Sequence, residues 1–208
     1  MDTQVQAVID HYHDLIRQER DKPRDPERQD RAHRFMAVGP ETGQLLNTLV
    51  RSLDRPRILE LGTSMGYSGI WLADAARASG GRVITMEQEA HKSEFAREMA
   101  TKAGLADFID FRVGDAVAMI NDLDEGIDFV LLDLWKDLYV PCLEAFYPKL
   151  KPGAMIVADN MIRPGGENVQ AYGRAVRAKE GMTSVLLPVG TGLELSRFRD
   201  QKHSDGAS

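Results

Sequence analysis

The chain has 208 residues, 43% of them hydrophobic, and this length suits one domain with one substantial core. The 26 basic and 32 acidic residues give a formal net charge of −6, so no broad basic face for nucleic acid is expected. The N-terminal stretch lacks the charge and apolar run of a signal peptide, and no segment is long enough to span a membrane. The single cysteine, Cys142, lies in an apolar helical pattern typical of a core thiol. A cytoplasmic protein that binds neither nucleic acid nor membrane is therefore predicted.

Two helical patterns, over residues 5–16 and 43–53, precede the first strand. Between them, residues 17–34 are dense in both charge signs and are interrupted by Pro23 and Pro26. Mixed charge of this kind usually marks a solvated loop, and the alternative is a lid.

From Arg57 onward, short apolar runs alternate with helical patterns, which is typical of an α/β protein with a parallel sheet. The predicted strands are residues 57–61, 82–87, 108–113, 127–133 and 154–159. Residues 183–198 contain two further strand-like runs around a short glycine-containing turn, which predicts an antiparallel hairpin that closes the sheet. We expect one domain over residues 1–200, with N-terminal helices and a possible lid over 1–56, a core over 57–200, and a disordered tail over 201–208.

The stretch ILELGTSMGYSG, residues 58–69, ends a predicted strand with an acid and three spaced glycines. Such a turn brings backbone close to a ligand beyond the carboxyl end of a strand, or it is only a tight strand-to-helix connection. The spacing of Gly62, Gly66 and Gly69 does not match the dinucleotide fingerprint, which argues against NAD.

Acidic residues at successive strand ends favour a cationic, nucleoside-containing ligand. Glu60 would repel a pyrophosphate but suits a cation, and S-adenosylmethionine is such a ligand. Glu87 ends the next predicted strand, where a carboxylate can accept both hydrogen bonds of a ribose diol. The segment 114–116 follows the third strand and is placed to border an adenine. Together these positions favour a methyl donor.

The fourth and fifth predicted strands end in two aspartates and an asparagine. If these strands are neighbours, Asp133, Asp159 and Asn160 converge, and three oxygen ligands describe a site for Mg²⁺, or for Ca²⁺ or Mn²⁺. The alternative is that both aspartates cap helices. Lys136 reaches the same point, and a divalent cation beside its ammonium would favour loss of the proton. Lys136 is therefore a candidate general base, although such a lysine is more often a solvated surface charge.

These motifs resemble those of the cation-dependent class I O-methyltransferases, and most of all the catechol O-methyltransferases among them. The similarity runs from about Phe35 through the final hairpin and is most specific in residues 36–44, 60–68, 132–141 and 158–165. It implies a Rossmann-like, seven-stranded, mostly parallel sheet with an antiparallel last strand and helices on both faces. It also implies that S-adenosylmethionine is bound by ten residues: Val38, Glu60, Gly62, Gly66, Tyr67, Ser68, Glu87, Asp115, Ala116 and Asp133.

The same resemblance implies a metal held by Asp133, Asp159 and Asn160 and a catalytic Lys136. It places three substrate-flanking residues at Met36, Trp135 and Pro164. The implied reaction is methylation of a catechol-type hydroxyl, and a larger caffeoyl-type metabolite is the alternative substrate. The remaining rivals are a nicotinamide-dependent oxidoreductase and a non-catalytic binding module. Relatives occur as monomers and as homodimers, and both states stay open.

This chain departs from the animal catechol enzymes at three positions. A tryptophan before the MAVG-like segment is Arg34 here, a histidine beside the adenine is Leu134, and an acid that grips the second hydroxyl has no counterpart near Val185. One wall of the pocket is therefore altered. An acidic substituent on the substrate could be met by Arg34 or Arg163.

Overall fold

The computed structural model describes residues 1–21 and 37–199, and its central feature is a seven-stranded sheet. The strands are β1 Arg57–Leu61, β2 Arg82–Glu87, β3 Ile109–Val113, β4 Ile127–Leu132, β5 Leu150–Ala158, β6 Met182–Leu187 and β7 Leu193–Phe198. The helices are α1 Thr3–Asp21, α2 Pro40–Arg51, α3 Tyr67–Ser79, α4 Ala90–Lys102, α5 Ala116–Asn121, α6 Tyr139–Phe146 and α7 Glu167–Ala178.

The strand order is β3–β2–β1–β4–β5–β7–β6, and all pairs up to β4–β5 are parallel. The last strand, β7, is antiparallel to both of its neighbours, so the predicted hairpin and mostly parallel sheet are confirmed. Four predicted strands agree with the structure to within one residue. Strand β5 begins four residues earlier than predicted, and Pro152 and Gly153 lie in that added stretch, where the β4–β5 register shifts.

Helices cover both faces of the sheet because successive residues of a buried parallel strand point to opposite sides. On one face, Ile58 of β1 packs in a core with α1, α2, α3 and α4. On the other face, Leu59 packs in a second core with α5, α6 and α7. Cys142 lies fully buried in this second core, and burial raises the pKa of its thiol to about 12. The prediction of a core thiol is therefore confirmed.

Helix α1 extends five residues beyond the predicted end, into the charged segment. Arg17 pairs there with Asp14 one turn earlier, and arginine, glutamine and glutamate are good helix formers. The remainder of the possible lid, with Arg34 and Met36, and the predicted disordered tail lie outside the described residues. Among the described helices, none combines the length and apolar character needed to cross a membrane.

Candidate functional site

Three neighbouring strands end at the same level of the sheet. Leu61, Leu132 and Ala158 are paired in register across β1, β4 and β5, so the next residues along the three strands are Gly62, Asp133 and Asp159. The amide of Asp133 donates to Leu61 O at 2.9 Å, and the amide of Asp159 donates to Leu132 O at 3.1 Å. The strand order reverses between β1 and β4, which is where open α/β sheets bind ligands. The two predicted metal-binding aspartates therefore lie side by side at this point.

Lys136 lies against Asp133, as the sequence predicted. Its Nζ donates to Asp133 Oδ1 at 3.0 Å and to the Tyr139 hydroxyl at 2.7 Å. Tyr139 in turn donates to the backbone oxygen of Asp159 at 3.1 Å. The side chains of Lys136 and Asp133 are 24% and 22% exposed, so both are reachable from solvent and partly shielded from it. The alternative of a fully solvated surface lysine does not describe this geometry.

Asp159 and Asn160 are held by a residue of the β6–β7 turn. Asp159 Oδ1 accepts from the amide of Asn160 at 2.6 Å and from the hydroxyl of Thr191. The amide nitrogen of the Asn160 side chain donates to Thr191 Oγ1 at 3.0 Å and to Arg163 O at 3.3 Å. Both predicted ligands are therefore oriented by one turn.

Each predicted metal ligand keeps one oxygen that accepts no hydrogen bond from a described residue. These atoms are Asp133 Oδ2, Asp159 Oδ2 and Asn160 Oδ1. Two carboxylate oxygens and one amide oxygen are the donor types that hard divalent cations prefer. The described residues contain no group of three or more His, Cys, Asp or Glu side chains suited to a metal, so a cation at this place would need the Asn160 amide as its third protein ligand.

Neither aspartate caps a helix. The residue that precedes the turn at Lys136–Leu138 is Trp135, and α7 begins only at Glu167. The capping alternative instead describes Asp115, whose carboxylate accepts from the amide of Ala118 at 2.8 Å at the start of α5.

Without a cation, both carboxylates are costly to ionise in the folded protein. Burial raises the pKa of Asp133 and the Asp159 charge raises it further, although Lys136 opposes both effects. Burial also raises the pKa of Asp159, which Thr191 and Asn160 partly offset. A divalent cation in contact with both groups would reverse this balance because it favours the ionised forms.

The glycine turn after β1 needs its glycines for reasons that lie within the fold. A Cβ at Gly62, where φ is +100°, would stand 2.3 Å from Asp133 O. Gly66 has φ +88° and precedes α3, and a Cβ there would stand 2.6 Å from the side chain of Ala96. Backbone conformation and the packing of α4 therefore already require glycine at position 66, as the alternative of a tight strand-to-helix connection supposed. Its contact with a cofactor remains a prediction.

Glu60 is fully buried at the end of β1, and one of its oxygens accepts no hydrogen bond within the described part of the chain. Thr85 donates to Oε2 at 2.6 Å, whereas Oε1 lacks a hydrogen bond from any described residue. Burial raises the pKa of Glu60 to about 7, although the polar Ser68 side chain nearby and the hydrogen bond from Thr85 offset part of the effect. A buried carboxylate with an unsatisfied oxygen is costly, and a cationic ligand or a donor group would relieve that cost. The residue therefore suits a positively charged cofactor.

Glu87 connects the glycine turn to the end of β2. Its Oε2 accepts from the amide of Ser64 at 2.8 Å, and its Oε1 accepts from the amides of Gln88 and Glu89 at 2.9 and 3.0 Å. The amide of Gly114 donates to Glu87 O at 2.9 Å. This bond brings the segment predicted to border the adenine beside Glu87, the residue predicted to bind the ribose. Asp115 and Ala116 follow directly, at the start of α5.

The other predicted site residues fall into two groups. Val38, Tyr67 and Ser68 are buried, the last two in the first turn of α3 beside the glycine turn. Trp135 is 45% exposed, and Pro164 is exposed near Asn160. The structure thus leaves the two described substrate-flanking residues open to solvent at the edge of the site.

The sequence profile described as O-methyltransferase matches residues 24–198. The chain belongs to the O-methyltransferase family. The match includes every described site residue discussed above, and it counts against the nicotinamide-dependent alternative.

Individual O-methyltransferases show the same relationship. The chain is 37% identical over 132 residues to a catechol O-methyltransferase of Mycobacterium tuberculosis, an alignment that covers 63% of this chain and 60% of that relative. It is 28% identical over 185 residues to caffeoyl-CoA O-methyltransferase 1 of Eucalyptus globulus, covering 78% and 75% of the two chains. The structure resembles that of an O-methyltransferase from Bacillus cereus in complex with SAH, with a TM-score of 0.75, 26% identity, and coverage of 96% and 92%.

Sequence reasoning missed three residues that contact the site. Tyr139 lies three residues after Lys136, so helical spacing was a signal that could have found it. Thr191 lies 31 residues after Asn160, and no local pattern connects them. Tyr12 of α1 donates to Met65 O in the glycine turn at 2.6 Å, across 53 residues.

Helix α1 holds the glycine turn through a second contact as well. His13 Nε2 and the Tyr67 hydroxyl are 2.9 Å apart, and the Tyr12 and Tyr67 rings meet edge to face at 5.6 Å. The first turn of α3 and the glycine turn before it are thus fastened to the N-terminal helix.

Proposed function

We propose that this protein transfers a methyl group from S-adenosylmethionine to one hydroxyl of a vicinal dihydroxy aromatic, with the help of a divalent cation. The observation that carries the proposal is that β1, β4 and β5 end at the same level of the sheet. This places the glycine turn beside Asp133, Asp159 and Asn160, and Lys136 is in contact with Asp133. Mg²⁺ is the expected cation, and Ca²⁺ and Mn²⁺ are the alternatives.

The methyl donor is assigned to the turn between β1 and α3. Glu60, Gly62, Gly66, Tyr67 and Ser68 surround this turn. Support comes from the buried, unsatisfied oxygen of Glu60, which suits a positive ligand, and from the SAH-bound relative of similar fold. When bound, S-adenosylmethionine supplies an electrophilic methyl group, and a divalent cation acidifies the hydroxyl that attacks it.

The residues of the chain then have separate roles. Asp133, Asp159 and Asn160 hold the cation, and Trp135 and Pro164, together with Met36, flank the aromatic ring. Lys136 removes the proton from the attacking hydroxyl, since its Nζ lies 3.0 Å from Asp133 Oδ1 and therefore beside the cation position. Burial raises the pKa of the Tyr139 hydroxyl well above its usual value, so Tyr139 stays protonated and acts as a fixed hydrogen-bond partner of Lys136.

A larger caffeoyl-type substrate is a second candidate. Trp135 is 45% exposed and Pro164 is also exposed, which leaves space for a substrate that extends beyond one ring. The similarity to the Eucalyptus globulus enzyme supports the same alternative. Both candidates share the vicinal diol, so the chemistry proposed for Lys136 is the same in each.

The deciding experiment compares substrates under one set of conditions. We expect kcat/KM with catechol and with caffeoyl-CoA to exceed that with the matching monophenols by at least about 100-fold, because chelation of two oxygens fixes and acidifies the nucleophile. Turnover should stop in a chelator and return with Mg²⁺, and Asp133→Ala should be nearly inactive. Equal kcat/KM for diols and monophenols, or full activity in chelator after dialysis, would disprove the proposed role of the cation.

A further inference from the structure

The hydroxyl of Thr191 connects two of the proposed metal ligands. It donates to Asp159 Oδ1 and accepts from the side-chain nitrogen of Asn160 at 3.0 Å. We propose that Thr191 is a positioning residue that turns the free oxygens of Asp159 and Asn160 toward the cation. This inference rests on the proposed function, because it assumes the cation site.

The argument depends on the single proton of a hydroxyl group. Because Thr191 uses that proton on Asp159 Oδ1, its oxygen can only accept from Asn160, and the amide must present its NH₂ group to Thr191. The Asn160 carbonyl oxygen then points away from Thr191. In the same way, Asp159 Oδ1 is occupied by Thr191 and by the amide of Asn160, so Oδ2 is left for a cation. The Thr191 hydroxyl is thus the one group that orients both ligands, and the Asn160 amide and Arg163 O each support it at one of them.

The backbone around Thr191 holds the same segment independently of the hydroxyl. Ile162 and Arg163 donate their amides to Thr191 O at 3.1 and 2.8 Å, and Met161 donates to Gly192 O at 3.0 Å. Asn160 itself has φ +59°, an uncommon conformation for a non-glycine residue that these bonds help to maintain. A change of the Thr191 side chain should therefore leave this backbone in place and remove only the orientation of the two ligands.

Cation binding is the direct readout, since it does not require methyl transfer. Titration with Mn²⁺, followed by the electron paramagnetic resonance signal of the free ion, gives the Kd of the 208-residue protein for Mn²⁺. We expect Thr191→Val and Thr191→Ala to weaken Mn²⁺ binding by about 10- to 100-fold, the usual effect of removing a group that orients a metal ligand. Thr191→Ser keeps the hydroxyl and should bind close to the parent. Thr183→Val is the matched control, because it makes the same change at an exposed position of β6 in the same hairpin.

The outcomes separate this inference from the proposed function. If the parent binds Mn²⁺ and Asp159→Ala does not, the cation site stands, and unchanged binding by a folded Thr191→Val or Thr191→Ala variant then overturns the role of Thr191. Equal loss in Thr191→Ser also overturns it, because the hydroxyl would not be what matters. If the parent itself binds no Mn²⁺, the cation site of the proposed function is overturned, and the role of Thr191 falls with it. Circular dichroism and a thermal melt confirm that each variant compared is folded.

Discussion

Glu60→Gln tests whether the buried acid at the end of β1 costs stability for the sake of a cationic ligand. Glu60 has a pKa of about 7 in the folded protein, against 4.5 as its usual value, and burial is the main cause. Because the folded pKa is raised, the folded state keeps the proton to higher pH than the unfolded state. Glu60 therefore contributes stability below pH 4.5 that is lost as the pH rises through 7. Glutamine has nearly the same shape and carries no such pH dependence.

The expected magnitude follows from the shift. Between pH 5 and pH 8 the free energy of unfolding of the parent should fall, relative to Glu60→Gln, by about 2 to 3 kcal/mol. The hydrogen-bond cost or gain of the new amide cancels in this comparison because it is the same at both pH values. Urea unfolding of both proteins at pH 5 and pH 8, without ligand, measures the difference. For Thr85→Val, the free energy of unfolding should show no comparable gain over the parent between pH 5 and pH 8.

The same substitution should weaken the binding of the methyl donor. Titration calorimetry with S-adenosylmethionine at pH 8, where Glu60 is mostly ionised, should show lower affinity for Glu60→Gln than for the parent. If the two proteins have the same difference in stability at pH 5 and pH 8, then the pKa reasoning is wrong. If the variant binds the donor like the parent, Glu60 has no part in the cofactor site.

Two further changes test the acceptor side of the site. Lys136→Met should lower kcat by about 10²- to 10⁴-fold and leave the Kd for S-adenosylmethionine nearly unchanged, as expected for loss of a general base. Lys102→Met is the control at an exposed lysine, and a small change in kcat with a large change in Kd for Lys136→Met would indicate a structural lysine instead. Arg163 has an exposed guanidinium whose described bond is to Gly190 O at 2.8 Å, so Arg163→Ala should raise KM for a catechol carboxylic acid by about tenfold and not for catechol itself. Arg174→Ala is the matched control, and an equal rise for both substrates would remove Arg163 from recognition of the acid.

Much of the fold could be predicted because its signals are local. Buried parallel strands appear as short apolar runs, and the hairpin at 182–198 was visible from two runs around glycines. The order of the strands was not visible, since it depends on which helices cross which face. For this reason the convergence of Asp133 and Asp159 could be stated from the sequence only on the condition that β4 and β5 are neighbours.

The candidate site also contains residues with local sequence signals and residues without them. Residues at strand ends, such as Glu60 and Asp133, could be predicted because parallel strands end on one edge of the sheet. Thr191 and Tyr12 reach the site from 31 and 53 residues away from their partners, and their roles depend on tertiary packing alone. The reason for glycine at position 66 was also tertiary, because the side chain of Ala96 on α4 occupies the space that a Cβ would need.

The fastening of α1 to the glycine turn has a consequence for how the protein moves. Tyr12 and His13 bind the turn and the start of α3, so the turn is complete only while the N-terminal helix is docked. Undocking of α1 and opening of the turn therefore belong to one local equilibrium. A ligand that binds only the closed turn stabilises the docked helix by the free energy of that coupling. A change that loosens the helix weakens the binding of the ligand by the same amount. The first twenty residues, which carry none of the predicted chemistry, would thus take part in setting the affinity of the proposed donor site.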